Sequence, residues 1–419
     1  MTPEIKRRIE QIRRGEVPEG YKKTKYGILP ADWAIYILGD CLSRVEKPVK
    51  VNPNEWYTQI GIRSHGKGLF YKEPVTGAEL GNKAVYWVQP DCFVLNIVFA
   101  WEQAIGKTSQ AEAGMIGSHR FPMYRPINDK IDIDYLIAYL LTKRGTDILE
   151  MASPGGAGRN RTLGQEHFLK SKVVFPSVAE QQKIAAILTT QDKVIELKEK
   201  RLAEKLRQKK YLMQQLLTGK KRLPGFNIAW KKTKLKNILH ERKTYSPKGL
   251  EYPHVTLSTE GIFPKSDRYD RDHLVKDEYK EYKITHKGDI CYNPANLKFG
   301  VICENTFGDA IFSPIYVTFE VNQNVCKEYL ANYLMRWDFI NAVRKYEEGT
   351  VYERMAVKPE DFLKFEILLP HIAEQSAIAQ VLSSADREIS LLRQDIEQEK
   401  QKKKALMQLL LTGIVRVKI

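Results

Sequence analysis

The feature that most constrains the fold of this chain is an internal duplication at a constant spacing of 194 residues. Residues 176–219 align with residues 370–413 without a gap, and 19 of the 44 aligned positions are identical. The same spacing aligns the tripeptide Phe-Leu-Lys at 168–170 with its copy at 362–364. Self-similarity at one fixed spacing is the sequence signature of a repeat, so we interpret the chain as one unit used twice.

Both aligned segments predict a long helix. Each begins at a proline, Pro176 or Pro370, and no further proline interrupts it. Steps of three and four residues meet eight apolar side chains in ten positions in the second copy and six in the first, which is typical of a coiled-coil seam. Two unrelated surface helices remain an alternative, but a helix of about 43 residues, roughly 65 Å long, depends mainly on packing for its stability. We therefore predict that the two helices pack on each other along Ile184, Leu188, Ile195, Leu202, Leu212, Leu216, Ile378, Leu382, Ile389, Leu392, Ile396, Leu406 and Leu410.

The regions upstream of the two helices share little sequence and predict two mixed domains. A faint similarity remains at their starts, where a Leu-Pro pair precedes Trp33 in one copy and Trp230 in the other. A common frame with two different inserts suggests one scaffold that presents two different surfaces. The patterns predict strands at 83–88, 92–100 and 173–175 and a helix at 134–151 in the first copy, and strands at 289–292, 311–321 and 365–368 and a helix at 327–346 in the second.

The predicted fold class is α+β, with two tandem mixed α/β domains separated by two long antiparallel coiled-coil helices in pseudo-twofold symmetry. Antiparallel packing would place one mixed domain at each end, so we expect the helices to act as a spacer. The predicted ranges are a basic N-terminal helical arm at 1–26, a first mixed domain at 27–175, a first long helix at 176–219, a second mixed domain at 220–369, and a second long helix with a C-terminal tail at 370–419.

The charge of the chain favours a polyanionic partner. Lys and Arg number 67 against 51 Asp and Glu, which leaves a formal net charge of +16 at pH 7. Such an excess fits binding to nucleic acid, although a merely basic protein remains an alternative. Cations, Asn and aromatic side chains in polar loops could contact base edges or phosphates. The candidate DNA-binding residues are Arg63, His65, Lys67, Lys107, Arg120, Arg159, Asn160, Arg161, Lys265, Arg268, Asn296, Lys298, Tyr352 and Arg354.

Several partial motifs do not support catalysis. Residues 105–108 resemble part of a phosphate-binding loop, but Trp101 stands where its first glycine belongs. Arg161 stands where the glycine-rich segment at 156–158 would need another glycine to bind a dinucleotide. Residues 293–296, Asn-Pro-Ala-Asn, lack the second proline and the aromatic residue of the adenine-methyltransferase tetrapeptide. Together these departures favour a binding protein over an enzyme, and we predict no catalytic residue.

The cysteines and the hydropathy limit the cellular context. The five cysteines are widely spaced and form no Cys-x-x-Cys pair, so neither a zinc site nor a disulfide framework is indicated. They suit reduced thiols in the core of a cytosolic protein. No stretch approaches the roughly 20 apolar residues of a membrane span. We therefore expect a cytoplasmic protein with no metal site and no membrane association.

The repeated motifs resemble those of the specificity subunit of type I restriction–modification systems. In each copy a helix with the pattern Pro-x-x-x-Glu-Gln-x-x-Ile-Ala-x-x-Leu ends in Leu-Leu-Thr-Gly. Residues 20–33 resemble the usual entry to the first target-recognition domain of that family, and 100–106 and 287–290 are similar to segments inside such domains. The second domain departs from the first because it lacks a counterpart to Trp101-Glu102, so its reading surface cannot be inferred from the first.

The resemblance implies a division of labour among several subunits. Each target-recognition domain would read one half of a bipartite double-stranded DNA site, and the helices would set the separation. Two methyltransferase subunits carrying S-adenosylmethionine, and two restriction subunits using ATP and Mg²⁺, would assemble on the chain, which itself would bind no cofactor. The alternatives are a stand-alone DNA methyltransferase or nuclease with unrecognised motifs, and a coiled-coil scaffold without a role on DNA.

Overall fold

The chain forms two compact units in the computed structural model, which describes residues 2–155, 161–247, 251–265, 281–347 and 356–419. The first unit is Met1–Lys198 together with Asp395–Ile419, and the second is Glu199–Gln394. The boundary falls inside both long helices, so each unit combines one mixed domain with a segment of each helix.

Two helices of 39 residues dominate the helical content of the described chain. Their first residues lie 194 positions apart, as the duplication requires. The shorter helices also recur at this spacing, apart from the N-terminal helix and one short turn. The helices are α1 (Pro3–Arg13), α2 (Gly77–Leu80), α3 (Ile133–Leu140), α4 (Lys143–Met151), α5 (Gln165–Leu169), α6 (Val178–Leu216), α7 (Lys327–Leu334), α8 (Trp337–Val343), α9 (Pro359–Lys364) and α10 (Ile372–Leu410).

The mixed domain of the first unit is built on a four-stranded antiparallel sheet in the order β11-β10-β13-β4. Small two-stranded ribbons surround it, and the ribbon β3-β14 brings the entry segment beside the last strand before α6. The strands are β1 (Tyr21–Thr24), β2 (Gly27–Pro30), β3 (Ala34–Ile37), β4 (Leu42–Val45), β5 (Trp56–Tyr57), β6 (Ile60–Ile62), β7 (Leu69–Tyr71), β8 (Val75–Thr76), β9 (Val85–Trp87), β10 (Phe93–Leu95), β11 (Ile105–Lys107), β12 (Ile116–Ser118), β13 (Met123–Pro126) and β14 (Lys172–Phe175).

The mixed domain of the second unit repeats this frame. Its four-stranded sheet has the order β16-β24-β21-β22, and the ribbon β15-β25 joins its entry segment to the last strand before α10. The strands are β15 (Lys231–Lys234), β16 (Leu239–Glu241), β17 (Tyr245–Pro247), β18 (Val255–Ser258), β19 (Gly261–Pro264), β20 (Glu281–Thr285), β21 (Ile290–Tyr292), β22 (Ile302–Glu304), β23 (Ala310–Phe312), β24 (Val317–Val321) and β25 (Glu366–Leu369).

The duplication in the structure therefore covers more of the chain than the similarity in sequence does. Strands β3, β4, β10 and β11 recur as β15, β16, β21 and β22 at a spacing of 197 residues, and the spacing is 194 from α3 onward. Phe93 lies opposite Tyr124 in the first sheet, as Ile290 lies opposite Phe319 in the second. Each core conserves the pairing of strands and the apolar character of these positions, but not the identity of the side chains.

The expectation of two mixed domains and paired long helices is confirmed, but several predicted elements are shorter. The predicted helix at 134–151 is broken between α3 and α4, because the Thr142 side chain accepts a hydrogen bond from the Gly145 amide and starts a new helix. The predicted strand at 92–100 ends at Leu95, where a turn begins. The helix predicted at 327–346 is also broken, between α7 and α8, although no side chain caps the start of α8. The strand predicted at 311–321 is two strands, β23 and β24.

Within each unit the two long-helix segments run antiparallel and are joined by ion pairs. In the first unit Lys198 lies 2.8 Å from both Asp395 and Glu399. Hydrogen bonds from Lys198 and Gln191 lower the pKa of Glu399 to about 2. The repeat also duplicates one such pair, since Asp192–Lys403 in the first unit and Asp386–Lys209 in the second each measure 2.5 Å. All thirteen predicted seam residues are buried or half-buried.

In each unit a buried carboxylate joins the start of one long helix to the segment that follows the other. In the first unit Glu180 near the start of α6 accepts two hydrogen bonds of 2.7 Å from Arg416, which follows α10. In the second unit Glu374 accepts hydrogen bonds of 2.5 and 2.6 Å from Arg222, which follows α6. Both carboxylate side chains are 1% exposed. Arg416 also binds Asp32 and lowers the pKa of that carboxyl.

The glutamine that follows each of these glutamates joins the long helix to the mixed domain. Gln181 accepts a hydrogen bond of 2.9 Å from the Asp132 amide at the start of α3, and Gln375 accepts one of 3.0 Å from the Cys326 amide at the start of α7. Each glutamine also donates to the carbonyl of the proline that precedes its helix. The repeated Glu-Gln pair therefore ties each helix to the end of the other long helix and to its own mixed domain.

Glycines terminate both long helices for a steric reason. Gly219 and Gly413 have φ angles of +71° and +72°, which favour glycine. A Cβ atom would lie 3.3 Å from the Trp230 ring at Gly219 and 2.5 Å from Pro30 at Gly413. The Leu-Leu-Thr-Gly motif thus ends each helix against the Leu-Pro and Trp residues of an entry segment.

Removing one partner of a buried pair should destabilise one unit at a time. Arg416→Met leaves the Glu180 carboxylate buried without its cation, and we expect a loss of about 3 kcal/mol or more in the free energy of unfolding of the first unit. Hydrogen exchange should show faster amide exchange in the first unit and unchanged exchange in the second, and Arg222→Met should give the reverse. The double variant Glu180→Gln with Arg416→Met should recover much of the loss. A change below about 1 kcal/mol, the value of an exposed pair, would contradict this assignment.

Candidate nucleic-acid interface

One loop has the same conformation in both units and lies where the domains differ in sequence. In the first unit it spans residues 96–103, between β10 and β11, and in the second it spans 293–300, between β21 and β22. Each loop begins with a buried Asn whose side-chain oxygen accepts amide hydrogen bonds, continues through a 3₁₀ turn, and ends at a residue with positive φ. We call this segment the sheet-edge loop.

The shared geometry explains one partial motif and gives Trp101-Glu102 a positional counterpart. Asn293 accepts hydrogen bonds from the amides of Ala295 and Asn296, so the Asn-Pro-Ala-Asn segment is a turn held by its first side chain. Lys298 and Phe299 occupy the positions of Trp101 and Glu102. The two sheet-edge loops therefore share a backbone and differ in the side chains that they expose.

In the first unit a second loop packs against the sheet-edge loop. Residues 63–68 connect β6 to β7 and carry the predicted residues Arg63, His65 and Lys67, all exposed. The His65 amide donates to the Glu102 carbonyl at 2.7 Å, and the Ser64 hydroxyl donates to the Glu102 carboxylate at 2.9 Å. These two contacts hold the three predicted residues beside the sheet-edge loop.

A cleft with a volume of about 780 Å³ is lined in part by the sheet-edge loop of the first unit. Its wall includes Phe99 of the sheet-edge loop, and Arg120, whose carbonyl accepts a hydrogen bond from the Ile97 amide at 3.0 Å. A neighbouring cavity of about 400 Å³ shares several of these residues. The residues that line both cavities are Lys72, Asn96, Phe99 and Phe121.

The remaining predicted residues of the first unit have different environments. Arg161 lies over the Trp101 ring, 5.5 Å from its centroid, and so joins the group around the sheet-edge loop. Lys107 instead forms an ion pair of 2.7 Å with Asp134, so a DNA contact by its ammonium group would have to replace that pair. Arg159 and Asn160 lie outside the described residues.

In the second unit the predicted residues are more scattered among the described segments. Asn296 and Lys298 both belong to the sheet-edge loop, and the Lys298 ammonium group lies 5.3 Å from the centroid of the Phe299 ring. Phe299 is 60% exposed, a high value for a large apolar side chain. Lys265 follows β19, and its amide donates to the His254 carbonyl. The predictions at Arg268, Tyr352 and Arg354 lie outside the described residues.

The sequence reasoning missed residues that the fold brings to the same cleft. Lys72 follows β7, and Phe99 is 36% exposed within the sheet-edge loop. Both line the cleft with Arg120, although they stand far apart in the chain. The available sequence signal for Phe99 was an aromatic residue directly before the segment 100–106 that resembles the family, whereas nothing local to Lys72 distinguishes it from other surface lysines.

The described residues can be compared with the needs of a metal site and of a reactive thiol. No group of three or more His, Cys, Asp or Glu residues among them could hold a metal ion. Cys41, Cys92, Cys291 and Cys303 are buried and unpaired, and burial raises the pKa of the Cys303 thiol to about 12. Within the same described part of the chain, no helix is long and apolar enough to cross a membrane.

Comparisons with known proteins agree on one family. A family profile described as "Type I restriction modification DNA specificity domain" matches residues 71–207. The type I restriction enzyme MjaVIII specificity subunit of Methanocaldococcus jannaschii is 23% identical over 432 residues, covering 96% of this chain and 97% of that protein.

Solved structures give the same fold. The crystal structure of the HsdS subunit from Thermoanaerobacter tengcongensis aligns with a TM-score of 0.50 and 17% identity, covering 92% of this chain and 98% of that one. A type I restriction–modification S subunit from M. genitalium aligns with a TM-score of 0.54 and 10% identity, covering 92% and 96%.

The duplicated mixed domains and the paired long helices give this chain the fold of those solved subunits. The family profile, the curated relative and the solved structures all indicate a DNA-recognition subunit, the specificity subunit of a type I restriction–modification system.

If the cleft of the first unit contacts DNA, its exposed cations should carry part of the affinity. We expect Arg120→Gln to weaken binding of target duplex several-fold and to lower the slope of log affinity against log salt by about one, because one phosphate contact is lost. Lys107→Gln is the matched control, and its effect should be smaller because Asp134 already neutralises that lysine. Equal effects of the two variants, measured by fluorescence anisotropy at several salt concentrations, would contradict this placement of the interface.

Proposed function

We propose that this specificity subunit reads a bipartite DNA target, with one mixed domain contacting each half-site. The observation that carries the proposal is the pair of sheet-edge loops. They share one backbone conformation but carry half-buried Trp101 and Glu102 in one unit, and half-buried Lys298 with exposed Phe299 in the other. Because base identity is read by side chains on the groove edges, two loops with different side chains suit two different half-sites.

The two long helices then serve as the spacer between the half-sites. Both helices have 39 residues, and the boundary between the compact units falls within each of them. A helix rises by about 1.5 Å per residue. The number of residues in the two helices would therefore set the gap between the half-sites along the DNA. Half-sites about one helical turn apart, ~34 Å, would be read from one face of the duplex.

The chain itself is non-catalytic in this proposal and acts through partners. Two methyltransferase subunits carrying S-adenosylmethionine modify adenines, and two restriction subunits using ATP and Mg²⁺ complete the nuclease. The duplication supports two copies of each partner, since repeated surfaces on one chain can bind identical subunits. The Asn-Pro-Ala-Asn segment at 293–296 supports a binding protein over a stand-alone methyltransferase. Its Asn293 side chain holds a turn by accepting backbone hydrogen bonds, which explains the residue without a catalytic role.

Lengthening both helices should lengthen the DNA spacer without altering either half-site. Seven residues inserted after Lys198 and seven after Gln394 keep the coiled-coil phase and add about 10 Å, which corresponds to about three base pairs. Sequencing of duplexes selected from a random pool, with the partner methyltransferase present, should show the same two half-sites with a longer gap.

The same seven residues inserted after Gly15, in the exposed turn that follows α1, provide the control and should leave the gap unchanged. An unchanged gap in the helix variant would refute the spacer role while leaving the reading of two half-sites intact. Selection of one uninterrupted motif by the unmodified chain would refute the bipartite proposal itself.

A further inference from the structure

The cleft of the first unit contains a buried hydrogen-bond donor that the fold does not use. Asn96, at the start of the sheet-edge loop, is 9% exposed and lines both the cleft of about 780 Å³ and the neighbouring cavity of about 400 Å³. Its Oδ1 atom accepts a hydrogen bond of 3.1 Å from the Val98 amide, whereas its Nδ2 atom donates none to the described residues. The Nδ2 donor is therefore available to a group that enters the cleft.

The cations around this donor have no acidic partner. Lys72, Lys83 and Arg120 line the cleft and are exposed, and their charged groups form no ion pair with the described part of the chain. The lining residues of the cleft include no Asp or Glu. A positive concave surface without carboxylates favours a ligand that carries phosphate.

Two phenylalanine rings supply the apolar part of the cleft. Phe99 is 36% exposed, Phe121 is half-buried against a small apolar cluster, and both line the cleft and the neighbouring cavity. An exposed ring in a concave surface is suited to stack on a nucleobase. The cations, the rings and the buried amide thus match the phosphates, the base face and the base edge of one nucleotide. The cleft volume also falls within the roughly 300–1,000 Å³ of small-ligand sites.

The burial of Asn96 distinguishes a paired base from an unpaired one. A base in a duplex presents its edge within a groove, and a side chain must protrude from the protein to reach it. Asn96 does not protrude, because it is 9% exposed and its Oδ1 atom is held by the loop backbone. A base can therefore reach Nδ2 only if it leaves the stack and enters the cleft, as in proteins that bind flipped bases.

We propose that the cleft of the first unit binds one extrahelical nucleotide of the target duplex. The Nδ2 atom of Asn96 donates to an acceptor on the base edge, Phe99 stacks on the base, and Arg120 contacts the adjoining phosphate. This inference rests on the proposed function and adds to it, because the specificity subunit itself unpairs one position of the first half-site. Recognition at that position then depends on the ease of unpairing as well as on the identity of the base.

Mismatch scanning tests the proposal on the full chain in complex with the methyltransferase subunit. The probes are synthetic target duplexes that carry one mismatch at a time in the first half-site, made on either strand. A mismatch removes much of the cost of unpairing, so we expect roughly tenfold tighter binding at one position other than the methylated adenine. The methylated adenine should show a gain of its own, because the methyltransferase also rotates its base out of the duplex, and it provides an internal reference.

Two variants link the gain in affinity to the cleft. Asn96→Asp keeps an oxygen that can hold the turn but removes the Nδ2 donor, so it should abolish the gain at the new position and keep the gain at the methylated adenine. Phe99→Leu changes an exposed ring and should reduce the same gain several-fold. The matched control is Asn293→Asp, since Asn293 holds the equivalent turn in the second unit, and it should leave both gains of the first half-site unchanged.

The outcomes separate this inference from the proposed function. If no position besides the methylated adenine shows a gain, or if the gain survives Asn96→Asp, the extrahelical nucleotide is refuted and the reading of two half-sites stands. If the unmodified complex instead binds a free nucleoside monophosphate through Asn96 and shows no positional gain, the cleft is a site for free nucleotides and the proposal is wrong. An unmodified complex that binds the target duplex no more tightly than a random duplex would overturn the proposed function as well.

Discussion

The interaction on which the rest of the structure depends is the buried Glu–Arg pair of each unit. A carboxylate that is 1% exposed is stable only if a cation and hydrogen bonds replace its lost hydration. Glu180 and Glu374 each obtain both from an arginine, and Glu374 also accepts a hydrogen bond from the Trp230 indole. In each unit the glutamate lies near the start of one long helix and the arginine lies beyond the end of the other. The pair therefore joins the two helix segments and places them against the entry segment of a mixed domain.

A junction held by these contacts allows the loops of the mixed domains to diverge. The Gln residues after the two glutamates hold α3 and α7, and the glycines at the helix ends press against Pro30 and Trp230. These contacts leave the loops at the far edge of each sheet outside the constrained region. The sheet-edge loops keep their shape through backbone hydrogen bonds and one buried Asn, so the exposed positions on them can change without loss of the fold.

The sequence allowed the paired helices to be predicted because their apolar period and their identities both survive over 44 aligned positions. It did not allow the shared frame of the mixed domains to be predicted. Strands such as β10 and β21 have three residues each, their equivalent core residues differ, as Tyr124 and Phe319 do, and the spacing changes from 197 to 194 within the domain. The candidate interface was only partly predictable, because whether a lysine is available to bind DNA depends on its neighbours in the fold. Asp134 already forms an ion pair with Lys107. Lys72 lines the cleft although it stands far in the chain from the sheet-edge loop.

The central claim is that one chain with two units directs modification of a two-part DNA sequence. The most direct test is a map of methylated bases in cells that express the chain together with the methyltransferase subunit. The account predicts modified adenines only within a motif of two specific parts separated by a fixed number of unspecified bases, with one modified adenine in each part. Modification within one uninterrupted motif, or modification that does not change when the chain is removed, would contradict it.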